Sequence, residues 1–343
     1  MQKIKVAVIF GGNSPEHNVS LSSTYSVLKN INSAKYQIIP IGITKAGNWY
    51  HYLGDYEKIC DGSWERDELN ASKLIFSPDS SAPCFYEYTD NKWESLSVDL
   101  VFPVLHGKNG EDGSLQGMFE LAGIPIVGCN TLSSALCMDK HRAHQLVSYH
   151  GIAVPKAITI NKKCEPDISG LGFPVFVKPV RAGSSFGISK VTEQKDLAAA
   201  IDLAFKYDSE VIIEEAINGF EVGCAILGKD ELTVGRVDEI ETQDGFFDYE
   251  EKYTLKTAKI HVPARIDASI EKEIQETAKR IYKILGCSGF ARIDMFLTPE
   301  NKIMFNEANT IPGLTSHSQF PRMMKAIGLS FAEVLDKLLE LYV

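Results

Sequence analysis

The stretch Phe290–Gly313, FARIDMFLTPENKIMFNEANTIPG, constrains this chain more than any other segment. Two short apolar runs, Phe290–Leu297 and Lys302–Phe305, flank a Pro/Glu/Asn turn, the pattern of a β-hairpin. Both strands contain acid where a buried strand has no use for it. The first holds Arg292 and Asp294, and the second ends in Glu307 and Asn309. Side chains alternate along a strand, so Arg292 and Asp294 share one face; Glu307 and Asn309 share one while the second strand persists. Two carboxylates and an amide oxygen converging there form a hard oxygen-donor set of the kind Mg²⁺ takes beside phosphates. The alternative is a solvated hairpin face with incidental charge. The apolar neighbours and the Pro-Gly turn argue against it, because an unpaired buried carboxylate is costly.

The other 300-odd positions set the scale of the molecule. A chain of 343 residues, 44% hydrophobic and 23% charged, has room for two or three domains with substantial cores. Its net charge of −10, spread without a basic block, argues against a nucleic-acid surface but permits a local phosphate site. The opening MQKIKVAVIFGG has an apolar run too short for a membrane span. It meets Gly-Gly without a small-residue cleavage pattern, which predicts a first strand of a cytoplasmic protein rather than a signal peptide. Seven scattered cysteines with no CxxC spacing read as reduced thiols, neither a disulfide framework nor a zinc site.

In chain order, Lys3–Phe10 predicts a strand closed by Gly11-Gly12. A helix follows, capped by Ser14 or Asn18, with an apolar face of Val19, Tyr25, Val27 and Leu28. Tyr36–Thr44 is a second strand. This opening is a doubly wound α/β pattern, yet GGNSPEH lacks the GxGxxG dinucleotide fingerprint. Residues 45–97 read as an irregular excursion with short strands. Asp99–Leu105 is a strand leading to HGKNGEDGSLQG, then a helix with Leu115, Met118, Phe119 and Leu121 inward. His106 at the strand end either contacts a ligand or fixes the loop by hydrogen bonds. Ile124–Val127 is a last short strand, and the first domain ends near residue 130. Thr131–His150 reads as helical, with Met138-Asp139-Lys140 within it. Val154–Ile160 and Val175–Pro179 are strands, the latter ending at Lys178 before RAGSSFGISKV. That Gly/Ser loop is either a plain hairpin turn or a backbone cradle for phosphate oxygens with Lys178 adding charge; it is not a Walker A loop. Helices are expected at Glu193–Tyr207, Ile270–Leu285 and Phe331–Tyr342, and strands at Val211–Glu215, Glu221–Leu227 and Leu232–Glu239. The aromatic and charged segment 241–259 suits a lid over a charged ligand.

The order of FGGNSPEHNVSL, HGKNGEDGSLQG, MDK, FVKPVRAGSSFGI, FFDYEEKY, GFARIDMF and NEANTIPGLTSHS resembles the D-alanine–D-alanine ligases of the ATP-grasp superfamily over nearly the whole chain. Within them it is similar to the D-alanine–D-serine ligases of G-type vancomycin resistance. The resemblance implies a three-domain ATP-grasp fold: an N-terminal Rossmann-like open α/β sheet (1–130), then two α+β lobes (131–213 and 214–343) that grip ATP. It implies ligation of D-alanine to D-serine through an acyl phosphate, the housekeeping alternative being D-alanine in both positions. Asp294, Glu307 and Asn309 would hold two Mg²⁺, with Mn²⁺ a possible substitute, and Arg292 would stabilise the acyl phosphate. Lys140 and Lys178 would grip the α- and β-phosphates, and Lys252 the γ-phosphate. Ser184, Ser185, Phe186 and Gly187 would cover the phosphates, and Glu214, Glu215, Ile217 and Glu221 would form the adenosine pocket. Glu215 stands where relatives often have lysine, so its contact would be made by backbone. Glu16 would bind the first ammonium and, with Ser184 and Tyr253, tie the lid to the first domain. His106, Gly313 and Ser318 would line the amino-acid subsites, and Gln319 could hydrogen-bond a serine hydroxyl. Lys252 with Tyr253 differs from the histidine-containing lid of D-lactate-using ligases, which favours an amine acceptor. Family likeness also implies a homodimer acting without nucleic acid or membrane.

Overall fold

The computed structural model describes residues 3–81, 84–163, 165–242 and 259–343. The N-terminal sheet has seven strands in the order Lys92–Leu96, Cys84–Thr89, Ala71–Ser77, Trp49–Tyr52, Tyr36–Ile43, Ile4–Gly11 and Leu100–Val104. Ile4–Gly11 pairs in parallel with both its neighbours, and the outer strands pair antiparallel. The central strand is apolar throughout because both of its faces are covered. Val6, Val8 and Phe10 point into one core with helix His17–Asn30, and Ala7 and Ile9 into another with helix Ser114–Ala122. The irregular excursion predicted for 45–97 is thus an ordered antiparallel extension of the first sheet.

A four-stranded antiparallel sheet follows, in the order Ser189–Val191, Val175–Pro179, Val211–Glu215, Ala157–Ile160, covered by Leu197, Ala200, Ile201 and Ala204 of helix Gln194–Ala204. The third sheet runs Lys259–His261, Asp238–Glu241, Phe220–Gly228, Gly289–Leu297, Ile303–Asn309, with Leu232–Val234 beside Phe220–Gly228. Helix Ala268–Ile284 buries Ile274, Ala278, Ile281 and Tyr282 against it. Each buried side chain of that size contributes roughly 1.5–3 kcal/mol, enough to make this sheet a rigid floor.

Several local expectations need correction. The residues 131–150 form two helices, Thr131–Met138 and Lys140–Tyr149. Asp139 leaves helical geometry between them and accepts the Arg142 backbone N–H, so it caps the second helix and puts Lys140 at its first turn. Helix His17–Asn30 starts after Glu16 and buries His17, Ser20, Ser23 and Thr24 beside Leu21, Val27 and Leu28, whereas Val19 and Tyr25 are only half-buried. Small polar residues there let the helix approach the strand ends. Leu121 is 71% exposed, not inward. Ile124–Val127 makes an isolated bridge, Val101 to Ile126, rather than a strand. Leu232–Glu239 is split into Leu232–Val234 and Asp238–Glu241, and a helix at Gln319–Lys325 was not expected. Among the described residues no helix is long and apolar enough to cross a membrane. Cys60, Cys129, Cys137, Cys224 and Cys287 are free thiols.

Candidate active site

The acidic hairpin forms as read, with its second strand extended to Asn309. Arg292 lies opposite Asn309 and Asp294 opposite Glu307, and the register shifts between Asp294 and Met295. Asp294 is 1% exposed. The Arg292 guanidinium grips it twice, Nε to Oδ1 and Nη2 to Oδ2, both at 2.7 Å, and Asn309 Nδ2 donates to Oδ2 at 2.8 Å. Burial disfavours the Arg292 charge, but Asp294 outweighs it and holds the group firmly protonated. Behind the pair lies Asp238, fully buried, with Oδ1 accepting the Gly223 N–H at 2.8 Å and Oδ2 without a hydrogen-bond partner among the described residues. Burial pushes Asp238 up to about 7. A Cβ on Gly223 would stand 2.6 Å from Asp238 Oδ1, so glycine is what lets this second carboxyl reach the pair.

Cations face the hairpin from two other elements. Lys178, near the end of Val175–Pro179, pairs with Glu214 of Val211–Glu215 at 2.6 Å, where the two antiparallel strands lie side by side. Burial alone would lower Lys178; Glu214, and beyond it Glu307 and Glu221, raise it instead. Lys140 Nζ donates to the Ala182 carbonyl at 2.8 Å and lies 3.4 Å from Glu307. One helical turn on, His144 is buried with Nε2 2.7 Å from the Asn306 carbonyl and Nδ1 3.5 Å from Glu214. Burial lowers its pKa, so the ring is neutral at pH 7 and a donor at Nε2. Lys140, Lys178, Glu214 and Glu307 line a cavity of about 260 Å³ together with Ser184, Ser185, Glu215, Ile217, Glu221 and Phe296. The Glu215 carboxylate, part of this lining, accepts the Lys156 N–H at 2.9 Å. Ser184 and Ser185 hold φ of 48° and 58°, left-handed geometry that is uncommon outside glycine, and Gly187 follows at 71°. The loop is thereby bent over the cavity mouth, with Phe186 stacked near Tyr207.

A second cluster adjoins this cavity. Glu16, 8% exposed, accepts a hydrogen bond from Ser184 Oγ, which ties the first domain to the Gly/Ser loop. Gly107 and Gly183 press against that carboxylate: a Cβ would lie 2.0 Å and 2.8 Å from its Oε2. His106 is buried and has both nitrogens committed, Nδ1–H to the Ile311 carbonyl at 2.9 Å and Nε2 to Ser23 Oγ at 3.1 Å. These bonds hold neighbouring segments together, and the ring also borders a cavity of about 370 Å³ with Gly12, Ser14, Trp49, Lys108 and Met118. Gly313 sits against Ser318, whose Oγ accepts the Thr315 N–H at 3.1 Å. Gln319 is buried at the start of its helix, 7% exposed. Lys252 and Tyr253, and the lid reading for 241–259 apart from residues 241, 242 and 259, lie outside the described residues.

Among the described residues no group of three His, Cys, Asp or Glu side chains is arranged for a metal. The candidate set, two carboxylates and an amide, is of another kind: hard oxygen donors on adjacent strands, which fits Mg²⁺ and not a soft ion. Chemically the arrangement can neutralise a polyanion between Lys140, Lys178 and the hairpin, and can hold a cationic group at Glu16. Asp238, His144 and Glu111 were missed from sequence. His144 could have been found as the i+4 partner of Lys140 on one helix face. Glu111, described below, left only the signal of an acid inside a glycine-rich loop.

Residues 5–129 match the family model described as D-ala D-ala ligase N-terminus, and residues 145–340 that described as D-ala D-ala ligase C-terminus. The crystal structure of VanG D-Ala:D-Ser ligase from Enterococcus faecalis is 62% identical, with a TM-score of 0.93 over 100% of both chains. The vancomycin B-type resistance protein VanB of Enterococcus faecalis is 46% identical across 99% of each chain. A D-alanine–D-alanine ligase of Caldicellulosiruptor bescii is 44% identical over 99% of this chain and 95% of its own.

Proposed function

The chain belongs to the D-alanine–D-alanine ligase family, with the ATP-grasp fold of its members, and we propose that it joins D-alanine to D-serine at the expense of ATP. The D-alanine carboxylate oxygen bonds to the γ-phosphorus and ADP leaves. The D-serine amine then attacks the acyl carbon, the C–O bond to phosphate breaks, and inorganic phosphate departs. The product is an altered peptidoglycan precursor terminus of the kind that lowers vancomycin binding.

Phosphoryl transfer is positioning plus neutralisation of charge on oxygen. Lys140 and Lys178 are assigned to the α- and β-phosphates, with Ser184, Ser185, Phe186 and Gly187 above them. Glu214, Glu215, Ile217 and Glu221 are assigned to the adenosine. Asp294, Glu307 and Asn309 would hold Mg²⁺, or Mn²⁺, which when bound neutralises charge on the phosphates. Arg292, fixed by Asp294, is assigned to the charge that develops on the acyl carbon's oxygen. Glu16 takes the D-alanine ammonium inside a cleft where a charge pair is stronger than on the surface. Lys252 and Tyr253 are assigned, from the family motif, to the γ-phosphate and to the lid's anchor. Gly313, Ser318 and His106 border the amino acids. The proposal includes the division at 130 and 213 and a cytoplasmic homodimer.

The observation that carries the acceptor assignment is the whole-chain likeness to the D-Ala:D-Ser ligase. Gln319 supports it, since a buried amide can meet a hydroxyl and is left unmatched by a methyl group. The chemistry is tested with γ-¹⁸O-labelled ATP. D-alanine alone should scramble label between bridge and non-bridge positions, and added D-serine should yield D-Ala-D-Ser. No scrambling and no dipeptide would refute the reading.

A further inference from the structure

We propose that Glu111 is a positioning residue for the ligation: its carboxylate fastens the turn at Thr310–Gly313 to the first domain and so sets the amino-acid subsites in register. The inference rests on the function proposed above. Glu111 Oε2 accepts the Gly107 N–H at 2.9 Å, within its own loop. Its Oε1 accepts the Ile311 N–H at 2.8 Å and lies 3.4 Å from the Thr310 hydroxyl, contacts that span about two hundred residues of chain. His106, five residues earlier in the same loop, holds the carbonyl of the same Ile311 at 2.9 Å. One residue's N–H and C=O are thus both gripped by one loop of the first domain. Ser23 adds a third tie by accepting the Leu314 N–H at 3.4 Å while bonded to His106. The gripped residue opens the turn that bears Gly313, and Gly313 packs on Ser318. On the other side of Gly107 stands the Glu16 carboxylate. Glu111 therefore joins the half of the site assigned to the first ammonium to the half assigned to the acceptor.

The geometry makes a chemical demand that packing alone does not. Two backbone N–H groups meet two different oxygens, so both must act as acceptors; a protonated carboxyl meets that with one strong and one weaker acceptor, and the ionised carboxylate meets it fully. Burial, and next the charge of Glu16, hold Glu111 up at about 8 against an ordinary 4.5, with Glu307 adding to the effect and the two N–H donors opposing it. An ammonium at Glu16 cancels the nearest of those negative charges and favours the ionised, two-acceptor form. Amino-acid binding and the latch thus support one another.

The test compares Glu111→Gln and Glu111→Ala with wild type in steady-state assays of ADP release. Glutamine keeps the shape but turns one acceptor into a donor facing an N–H. It should therefore fail to rescue: both variants lose about tenfold or more in kcat/KM for the amino acids, while KM for ATP stays within about twofold, because a displacement near 1 Å suffices for such a loss. Glutamine restoring wild-type kinetics, or ATP and amino-acid parameters falling together, would overturn the proposal. Amide hydrogen exchange of Ile311 in the wild type provides a measurement independent of any variant. Protection is expected, and exchange at the rate of an open loop would also overturn it. A wild-type protein with no D-alanine-dependent ADP release would instead sink the functional reading and the proposal with it.

Discussion

The two ends of the site are built in different ways. At the hairpin the functional groups grow from the interior of sheets: Asp294, Arg292, Lys178 and Glu214 all sit on paired strands, and each charge has an opposite charge within 2.7 Å. At the junction, Glu16, His106, Ser184 and Gly313 come from loops of distant segments, held by hydrogen bonds between those segments and by glycines that permit close approach. On the proposed function, the strand-built end is preorganised for one task, stabilising phosphate charge. The loop-built end can be altered one contact at a time, as suits a surface where relatives differ in the amino acid they accept. Changes at the first end should abolish chemistry, and changes at the second should redirect or slow it.

The largest effect is expected at the hairpin. Asp294→Asn keeps the shape but weakens both the Arg292 pair and the assigned metal set, so ADP release should fall by about 10²–10³-fold. Circular dichroism should remain native. A normal rate at low Mg²⁺ would remove Asp294 from the site. Lys178→Met comes next. It leaves Glu214 as a buried charge with neutral His144 beside it and Lys140 beyond, which should cost about 3–5 kcal/mol in urea unfolding as well as ATP affinity. Unchanged stability would show that Glu214 is solvated and the pair incidental. At the junction, Ser184→Ala removes one hydrogen bond to Glu16, and turnover should drop about tenfold with the melting temperature barely moved. Loss on the scale of Asp294→Asn would erase the contrast between the two ends.

The hairpin was legible because its evidence is local: alternation, a turn and misplaced acids lie within two dozen residues. The lysine strand and the Gly/Ser loop were legible for the same reason. Less was visible wherever a distant partner decides the outcome. The residues 131–150 carry continuous helical periodicity, and only the Arg142 N–H captured by Asp139 shows where the helix breaks. Leu121 fits an inward stripe, yet its helix ends at Gly123 before the sheet can cover it. Glu111 looks like a loop acid until Ile311 arrives from the far end of the chain. The helix Gln319–Lys325 is short and contains Pro321, and packing of Phe320, Met323 and Met324 into the main core makes it form.

A further effect is on the pH dependence of stability. Glu111 and Asp238, held near 8 and 7, keep protons in the folded protein at pH values where the unfolded chain, with ordinary values of 4.5 and 3.8, has released them. The folded state binds more protons across that window, so stability should decline as pH rises from about 4.5 towards 8. Urea unfolding near pH 6 and again near pH 8.5 measures this, and Glu111→Ala should flatten the decline. A rise in stability across the window would mean that both carboxyls are ionised in the folded state.

The most direct measurement is a competition. Purified protein is given ATP, Mg²⁺, D-alanine and an equal concentration of isotopically labelled D-serine at neutral pH, and the dipeptides are counted by mass spectrometry. D-Ala-D-Ser should dominate, and Gln319→Leu should shift the ratio towards D-Ala-D-Ala by about tenfold while total ADP release stays of the same order. D-Ala-D-Ala as the sole product of the wild type, with D-serine present and unused, would contradict the account.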